Sequence, residues 1–128
     1  MSKLLQQYGK TFRKGEYLFR EGDRADYAYM IHKGSIDINK MVGDKLKRIS
    51  TLGEGEFVGE MALISGGTRS ANAVAAEDCE CIRMDRVSFE NLLKENHLFA
   101  IQVVKMLSRR LYDTDRALAE AMEALLKK

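Results

Sequence analysis

Nine glycines between residues 15 and 67 divide the chain into short segments, and this spacing restricts its fold more than any other feature. They separate runs of mixed apolar and polar residues at Gly15, Gly22, Gly34, Gly43, Gly53, Gly55, Gly59, Gly66 and Gly67. Glycine readily adopts the positive φ angles of tight turns, and short strands between such turns are typical of a compact barrel or roll. The spacing therefore predicts a compact β-barrel or roll, and we expect an antiparallel, jelly-roll-like β-roll over about residues 10–84.

The segments between these glycines carry strand patterns. Tyr27–Ile31 is a short run of aromatic and aliphatic residues, and in residues 36–39 isoleucines alternate with Asp and Asn. Such alternation is typical of a half-buried strand, because successive side chains point to opposite faces. The Gly43-Asp44 step then predicts the tip of a hairpin.

Helices are predicted at both ends of the roll, which makes the fold class α+β. The first ten residues form a short helical lead ended by Gly9, and Asp85 is suited to cap the first of the C-terminal helices, over about residues 85–126. After a break near residues 95–97, a row of apolar residues recurs every seven positions. This heptad row would either pair two subunits or pack on the roll; it consists of Val104, Leu111, Leu118 and Leu125.

Composition limits the classes of protein to which the chain belongs. Its 128 residues, 45% hydrophobic and 31% charged, predict one soluble globular domain over residues 1–128. The net charge is +2 and the charges are interspersed, so nucleic acid is not an expected direct partner. No apolar run approaches the roughly 20 residues that cross a bilayer, and the N-terminus lacks a secretory signal, so a cytoplasmic location is expected.

The two cysteines, Cys79 and Cys81, lie on one face of a predicted strand and are expected to be reduced thiols. A metal site would need further ligands, and the only histidines, His32 and His97, lie in unrelated segments. We therefore predict no metal site. The same scarcity of histidine argues against a metal-dependent enzyme built on a similar β-roll.

Residues 57–71, hereafter the cassette segment, contain the two charges most suited to bind a ligand. Glu60 begins about one turn of good helix formers, so nearby amides lie at a helix N-terminus, where an anion is favoured. Gly66 and Gly67 then end the helix, and Arg69 leads into a predicted strand that begins at Ser70. A carboxylate accepts hydrogen bonds from sugar hydroxyls while an arginine binds phosphate, which together suit a nucleotide ester.

The cassette segment resembles the phosphate-binding cassette of the cyclic nucleotide-binding domain family. The resemblance rests on Phe-x-Gly-Glu-x-Ala-Leu at residues 57–63, on the interval from Glu60 to Arg69, and on Arg-Ser-Ala before a strand. It extends over the early β-roll and covers about residues 12–111. One departure is Thr68, where many members of the family carry proline; this change removes no ligand contact.

The resemblance implies an α+β fold, a helix inside the cassette, and a cyclic nucleotide site formed by Gly59, Glu60, Met61, Ala62, Arg69, Ser70 and Ala71. The ligand would be cyclic AMP or, alternatively, cyclic GMP, with no separate cofactor. Ser70 would contact a phosphate oxygen or a purine edge, or only the local backbone. Base contacts would come from the last helix, at Tyr112, Thr114 or Arg116.

These observations predict a sensor domain that binds a cyclic nucleotide and transmits binding through its C-terminal helix, with a possible homodimer through that helix. The sequence contains no set of nucleophile, base and orienting residue, so we predict that the chain is not an enzyme. The alternative is a dimerisation or regulatory module of the same fold that binds a different anion or no ligand. A DNA-binding regulator would require a helix-turn-helix after the long helix.

Overall fold

The computed structural model describes residues 2–127, and the chain comprises two compact units that divide between Phe89 and Glu90. The first unit begins with helix α1 (Ser2–Tyr8) and contains a second helix, α2 (Glu60–Ser65). Its strands are β1 (Gly9–Phe12), β2 (Tyr17–Phe19), β3 (Tyr27–Lys33), β4 (Ile36–Val42), β5 (Lys45–Leu52), β6 (Phe57–Val58), β7 (Asn72–Ala75) and β8 (Cys79–Asp85).

The strands form two four-stranded antiparallel sheets. One sheet has the order β1-β8-β3-β6 and the other the order β2-β7-β4-β5. The prediction of an α+β chain built on an antiparallel β-roll is confirmed. The predicted hairpin tip at Gly43-Asp44 connects β4 to β5.

The hydrophobic core of the first unit contains residues from both sheets. Apolar residues that alternate with polar ones along a strand therefore mark the face of that strand that points into the core. Ile36 pairs with Ala75 and Ile38 with Ala73, so successive core residues of β4 and β7 lie side by side. Cys79 and Cys81, on one face of β8, belong to this core and are free thiols, as predicted. Burial raises the pKa of the Cys81 thiol to about 12.

Strand β7 begins later than the sequence predicts, at Asn72 rather than at Ser70. The difference arises because the main chain of Arg69 is already bonded to a different segment. Its N–H donates to Asp23 O, and its carbonyl accepts from Gly22 N–H. Ser70 and Ala71 therefore form a bend between this contact and the strand.

The C-terminal helices are α3 (Arg86–Glu95) and α4 (His97–Leu126). Asp85 caps α3 by accepting the Ser88 N–H at 2.8 Å, as predicted, and Asn96 caps α4 by accepting the Phe99 N–H at 3.0 Å. The 30 residues of α4 give it a length of about 45 Å. The four residues of the heptad row are between 59% and 67% exposed. None of the helices in residues 2–127 combines the length and apolar character that crossing a membrane requires.

Candidate functional site

Helix α2 begins directly after Gly59, whose backbone conformation only glycine adopts easily. Gly59 has φ 79° and ψ 13°, in the left-handed region. A β-carbon at this position would lie 2.8 Å from Phe19 Cε2 and would also overlap the Arg69 guanidinium. At the other end, Gly66 has φ 76° and ends the helix, as the sequence predicts.

Arg69 returns to the N-terminal end of α2 as a buried cation. Its side chain is only 4% exposed; Nη1 donates to Gly59 O at 2.6 Å, and Nη2 donates to Tyr27 O. The guanidinium carbon also lies 3.9 Å from the ring centroid of Phe19, a stacked cation–π contact. Among residues 2–127, no atom accepts a hydrogen bond from Arg69 Nε.

Burial is the main influence on the pKa of the Arg69 guanidinium. It lowers the pKa of the guanidinium, while Tyr29 and the carboxylates of Asp26, Asp23 and Glu60 raise that pKa. The acceptors of Nη1 and Nη2 are main-chain carbonyls, which carry dipoles but no net charge. A buried cation whose direct partners are neutral is stabilised by any anion that approaches it, because burial costs less when a charge is paired.

The backbone around Arg69 is held by the turn after β2. Arg69 N–H donates to Asp23 O at 2.8 Å, Gly22 N–H donates to Arg69 O at 2.9 Å, and Ala25 N–H donates to Gly67 O at 3.3 Å. Thr68 forms a bridge with Arg24 within this pairing. The guanidinium therefore extends from a backbone that is fixed on both sides, which favours a defined position for a ligand contact.

The residues of this site suit the binding of a small anion that also carries hydroxyl groups. Glu60 is 1% exposed and opens α2, next to the arginine that reaches Gly59. A guanidinium and a carboxylate so placed match a phosphate and the sugar that carries it. Within residues 2–127, no group of three or more His, Cys, Asp or Glu side chains is arranged to hold a metal ion.

Residues 9–96, which include the whole roll and this site, match the family model described as the cyclic nucleotide-binding domain. The chain belongs to the cyclic nucleotide-binding domain family. The resemblance noted in the sequence is thereby confirmed, and the cassette segment lies inside the matched residues.

Known members of the family are similar to the chain in sequence and in structure. A cAMP-dependent protein kinase regulatory subunit of Eremothecium gossypii is 34% identical over 124 residues, covering 89% of this chain and 26% of that protein. Human cGMP-dependent protein kinase 2 is 38% identical over 81 residues, covering 61% of this chain and 11% of that protein. The Thermus thermophilus catabolite activator protein superposes with a TM-score of 0.80 at 29% identity, covering 94% of this chain and 58% of that one.

The chain therefore spans less than two thirds of the length of each of these relatives. Two of these names combine a cyclic nucleotide with a protein kinase, and the third is that of a catabolite activator protein. What the family shares with this chain is the domain, and the outputs are properties of the longer proteins.

The structure brings together some of the predicted site residues and leaves others at the surface. Gly59 and Arg69 are in direct contact, and Glu60 is the first residue of the helix between them. Met61 is 61% exposed, and Ala62 is half-buried on the same helix. Ser70 is exposed and Ala71 half-buried in the bend that follows Arg69.

The remaining predicted contacts, which would read the base, belong to the second unit. Tyr112, Thr114 and Arg116 are all exposed on α4, and Arg116 forms an ion pair with Glu120 at 3.7 Å, one turn further along the helix. Their role in a ligand site stays a prediction.

Sequence reasoning missed two residues that hold Arg69 in place. Phe19 supplies the ring beneath the guanidinium, and Tyr27 supplies a carbonyl oxygen from the start of β3. Both precede Arg69 by more than forty residues. No local pattern marks them, because a main-chain acceptor leaves no trace in residue identity and an aromatic residue in a strand is expected for core packing alone.

Proposed function

We propose that the chain binds a 3′,5′-cyclic nucleotide in the cassette segment and needs no other cofactor. The observation that carries this proposal is the buried guanidinium of Arg69, which donates to main-chain carbonyls that carry no net charge and has a free Nε within residues 2–127. A cyclic phosphate would supply the negative charge that this arrangement lacks among its direct hydrogen-bond acceptors. Membership of the family supports the same ligand class.

In this proposal each part of the cassette segment has a separate role. Arg69 binds the phosphate, and Glu60 accepts a hydrogen bond from the ribose hydroxyl. Met61 and Ala62 contribute main-chain N–H groups at the start of α2, so the exposure of the Met61 side chain does not conflict with this role. Further contacts come from the bend at Ser70 and Ala71, and Gly59 leaves room for Arg69.

The proposed contacts with phosphate and ribose do not involve the base, so both cyclic AMP and cyclic GMP are candidate ligands. The names of the relatives include a cAMP-dependent and a cGMP-dependent protein kinase, which supports either nucleotide. Phosphate and ribose are common to both nucleotides, so the proposed contacts of Arg69 and Glu60 serve either one.

Calorimetric titration of the 128-residue chain with cyclic AMP, cyclic GMP, 5′-AMP and 5′-GMP tests this proposal. We expect saturable binding of at least one cyclic nucleotide and much weaker binding of the linear monophosphates, which carry an extra charge and lack the ring. A folded chain that binds none of them would favour the alternative function, a regulatory or dimerisation module of the same fold.

We further propose that the domain acts as a regulatory sensor in the cytoplasm, not as an enzyme, and that α4 transmits binding as part of a homodimer. The exposed heptad row of α4 supports an interface between two copies, because apolar residues repeating every seven positions pair helices. A ligand shifts such a helix only if it binds two helix positions with different affinity.

A chain that ends at Ala117 tests this part of the proposal, since it lacks Leu118 and Leu125 from the row. Sedimentation should show a dimer for the full chain and a monomer for the shortened one, and the apparent affinity for the nucleotide should change. A full chain that sediments as a monomer with and without ligand, together with unchanged affinity after shortening, would remove α4 from the mechanism.

A further inference from the structure

Helix α2 is too short to be stable without contacts at its ends. It has six residues, and helices of fewer than about twelve residues are marginal in isolation. The last carbonyl groups of any helix also lack N–H donors inside the helix. In α2, the N–H groups of Gly66 and Gly67 donate to Ala62 O, at 2.9 Å and 3.1 Å.

The next two carbonyls of α2 are bound by one side chain from outside the cassette segment. Arg86 donates from Nε and Nη2 to Leu63 O, at 3.1 Å and 2.6 Å, and from Nη2 to Ile64 O at 2.8 Å. A cation in this position also opposes the negative end of the helix dipole. Arg86 therefore provides both the charge and the donors that the C-terminal end of α2 requires.

Arg86 is also the first residue of α3, and that first turn is fixed at two further points. Asp85 caps it through the Ser88 N–H, and the ring of Phe89 meets the ring of Phe57 edge-on at 6.2 Å between centroids. Phe57 lies in β6, two residues before Gly59. The first turn of α3 thus contacts the strand that enters the cassette segment as well as the helix inside it.

We propose that Arg86 is a positioning residue for the ligand site and that it couples α2 to the first turn of α3. It binds the end of α2 opposite to Glu60, so it acts on the ligand only through the helix. A ligand that moves α2 must either carry Arg86 with it or break three hydrogen bonds, so the two helices should respond together. The ligand part of this inference rests on the proposed function, whereas the stabilisation of α2 does not.

Hydrogen exchange without ligand tests the stabilisation of α2. Arg86→Ala should speed exchange of the Gly66 and Gly67 amides by about tenfold, which is the scale for loss of charge-assisted hydrogen bonds. Arg86→Lys, which keeps the charge and can reach one carbonyl, should restore part of the protection. Arg48→Ala removes the same charge from the exposed strand β5, which pairs with β4, and should leave these amides unchanged.

Titration with cyclic AMP and cyclic GMP tests the effect on the ligand. Arg86→Ala should weaken binding by about tenfold, Arg86→Lys by less, and Arg48→Ala not at all. In the parent chain, ligand should change exchange both in α2 and at the Ser88 and Phe89 amides. In Arg86→Ala, the change at Ser88 and Phe89 should be lost while a change in α2 remains, which a loss of overall stability would not produce.

Unchanged exchange of Gly66 and Gly67 in a folded Arg86→Ala variant would overturn the inference, whatever happens to affinity. A weaker affinity with the ligand response of Ser88 and Phe89 intact would overturn the coupling. If the parent chain bound neither nucleotide, the proposed function and the coupling would fail. The exchange comparison without ligand would then still decide whether Arg86 holds α2.

Discussion

Replacing Gly59 by alanine should damage both the stability of the chain and its ligand site. The residue has φ 79°, a conformation in which an alanine costs about 1–2 kcal/mol. Its β-carbon would also lie 2.8 Å from Phe19 Cε2 and would overlap the Arg69 guanidinium, so the stacked pair must move. Moving it breaks the hydrogen bond from Arg69 to Gly59 O, a charge-assisted bond of about 1.5–3 kcal/mol.

The two effects add to a loss of about 2.5–5 kcal/mol in the free energy of unfolding. Gly55→Ala provides the matched control, because Gly55 has φ 84° but no atom within 4 Å of the position of a β-carbon. It should lose only the backbone part, about 1–2 kcal/mol. The difference between the two variants then measures the crowding against Arg69 and Phe19.

Urea denaturation gives the two free energies, and calorimetric titration with a cyclic nucleotide gives the affinities. We expect Gly59→Ala to bind at least about tenfold more weakly than the parent, and Gly55→Ala to bind as the parent does. Equal losses of stability in the two variants, with both affinities unchanged, would refute the claim that Gly59 makes room for a ligand-binding arginine.

Three further results are expected. Glu60→Gln should weaken binding of cyclic AMP but have little further effect on its 2′-deoxy analogue, and equal losses for both ligands in parallel titrations would remove Glu60 from the sugar. Burial raises the pKa of Cys81 to about 12 from its ordinary value of 9.0, so the folded chain keeps a proton that the unfolded chain loses. The free energy of unfolding should therefore fall between about pH 9 and pH 12, and urea titrations should show a shallower fall for Cys81→Ala. Gly34→Ala should be destabilised more than Gly15→Ala, because only its β-carbon would meet the main-chain oxygen of Asp78, at 2.6 Å, while nucleotide affinity stays unchanged.

Much of the fold could be predicted because it depends on local patterns. The glycines mark turns, and several of them have the positive φ that such turns require. Asp85 caps α3, as a short polar residue before a helical pattern should. Such features are decided by a few neighbouring residues, so the sequence contains them directly.

The first residue of β7 is a feature that local sequence patterns did not predict correctly. Ser70 and Ala71 have strand-like neighbours, yet the chain bends there because Arg69 is bonded through its main chain to the turn at residues 22–23. The competing bonds come from residues more than forty positions earlier. No local pattern contains that information.

Only part of the candidate site, likewise, could be predicted from the sequence. Glu60 and Arg69 were predicted from their interval and from the glycines around them, and the structure places Arg69 against the main chain of Gly59. The sequence prediction included Gly59 among the site residues, and the structure shows that its missing side chain makes room for Arg69 and Phe19. That requirement depends on tertiary contacts, and so does the contact of Arg86 with the end of α2.

The most direct test of the account is the affinity of Arg69→Ala for the cyclic nucleotide that the parent chain binds, measured by calorimetry on folded protein. We predict a loss of roughly ten- to two-hundredfold, which corresponds to about 1.5–3 kcal/mol for a charge-assisted hydrogen bond. Arg69→Lys should recover only part of it, because lysine keeps the charge but not the planar guanidinium. A folded Arg69→Ala variant that binds the nucleotide as tightly as the parent would contradict the account.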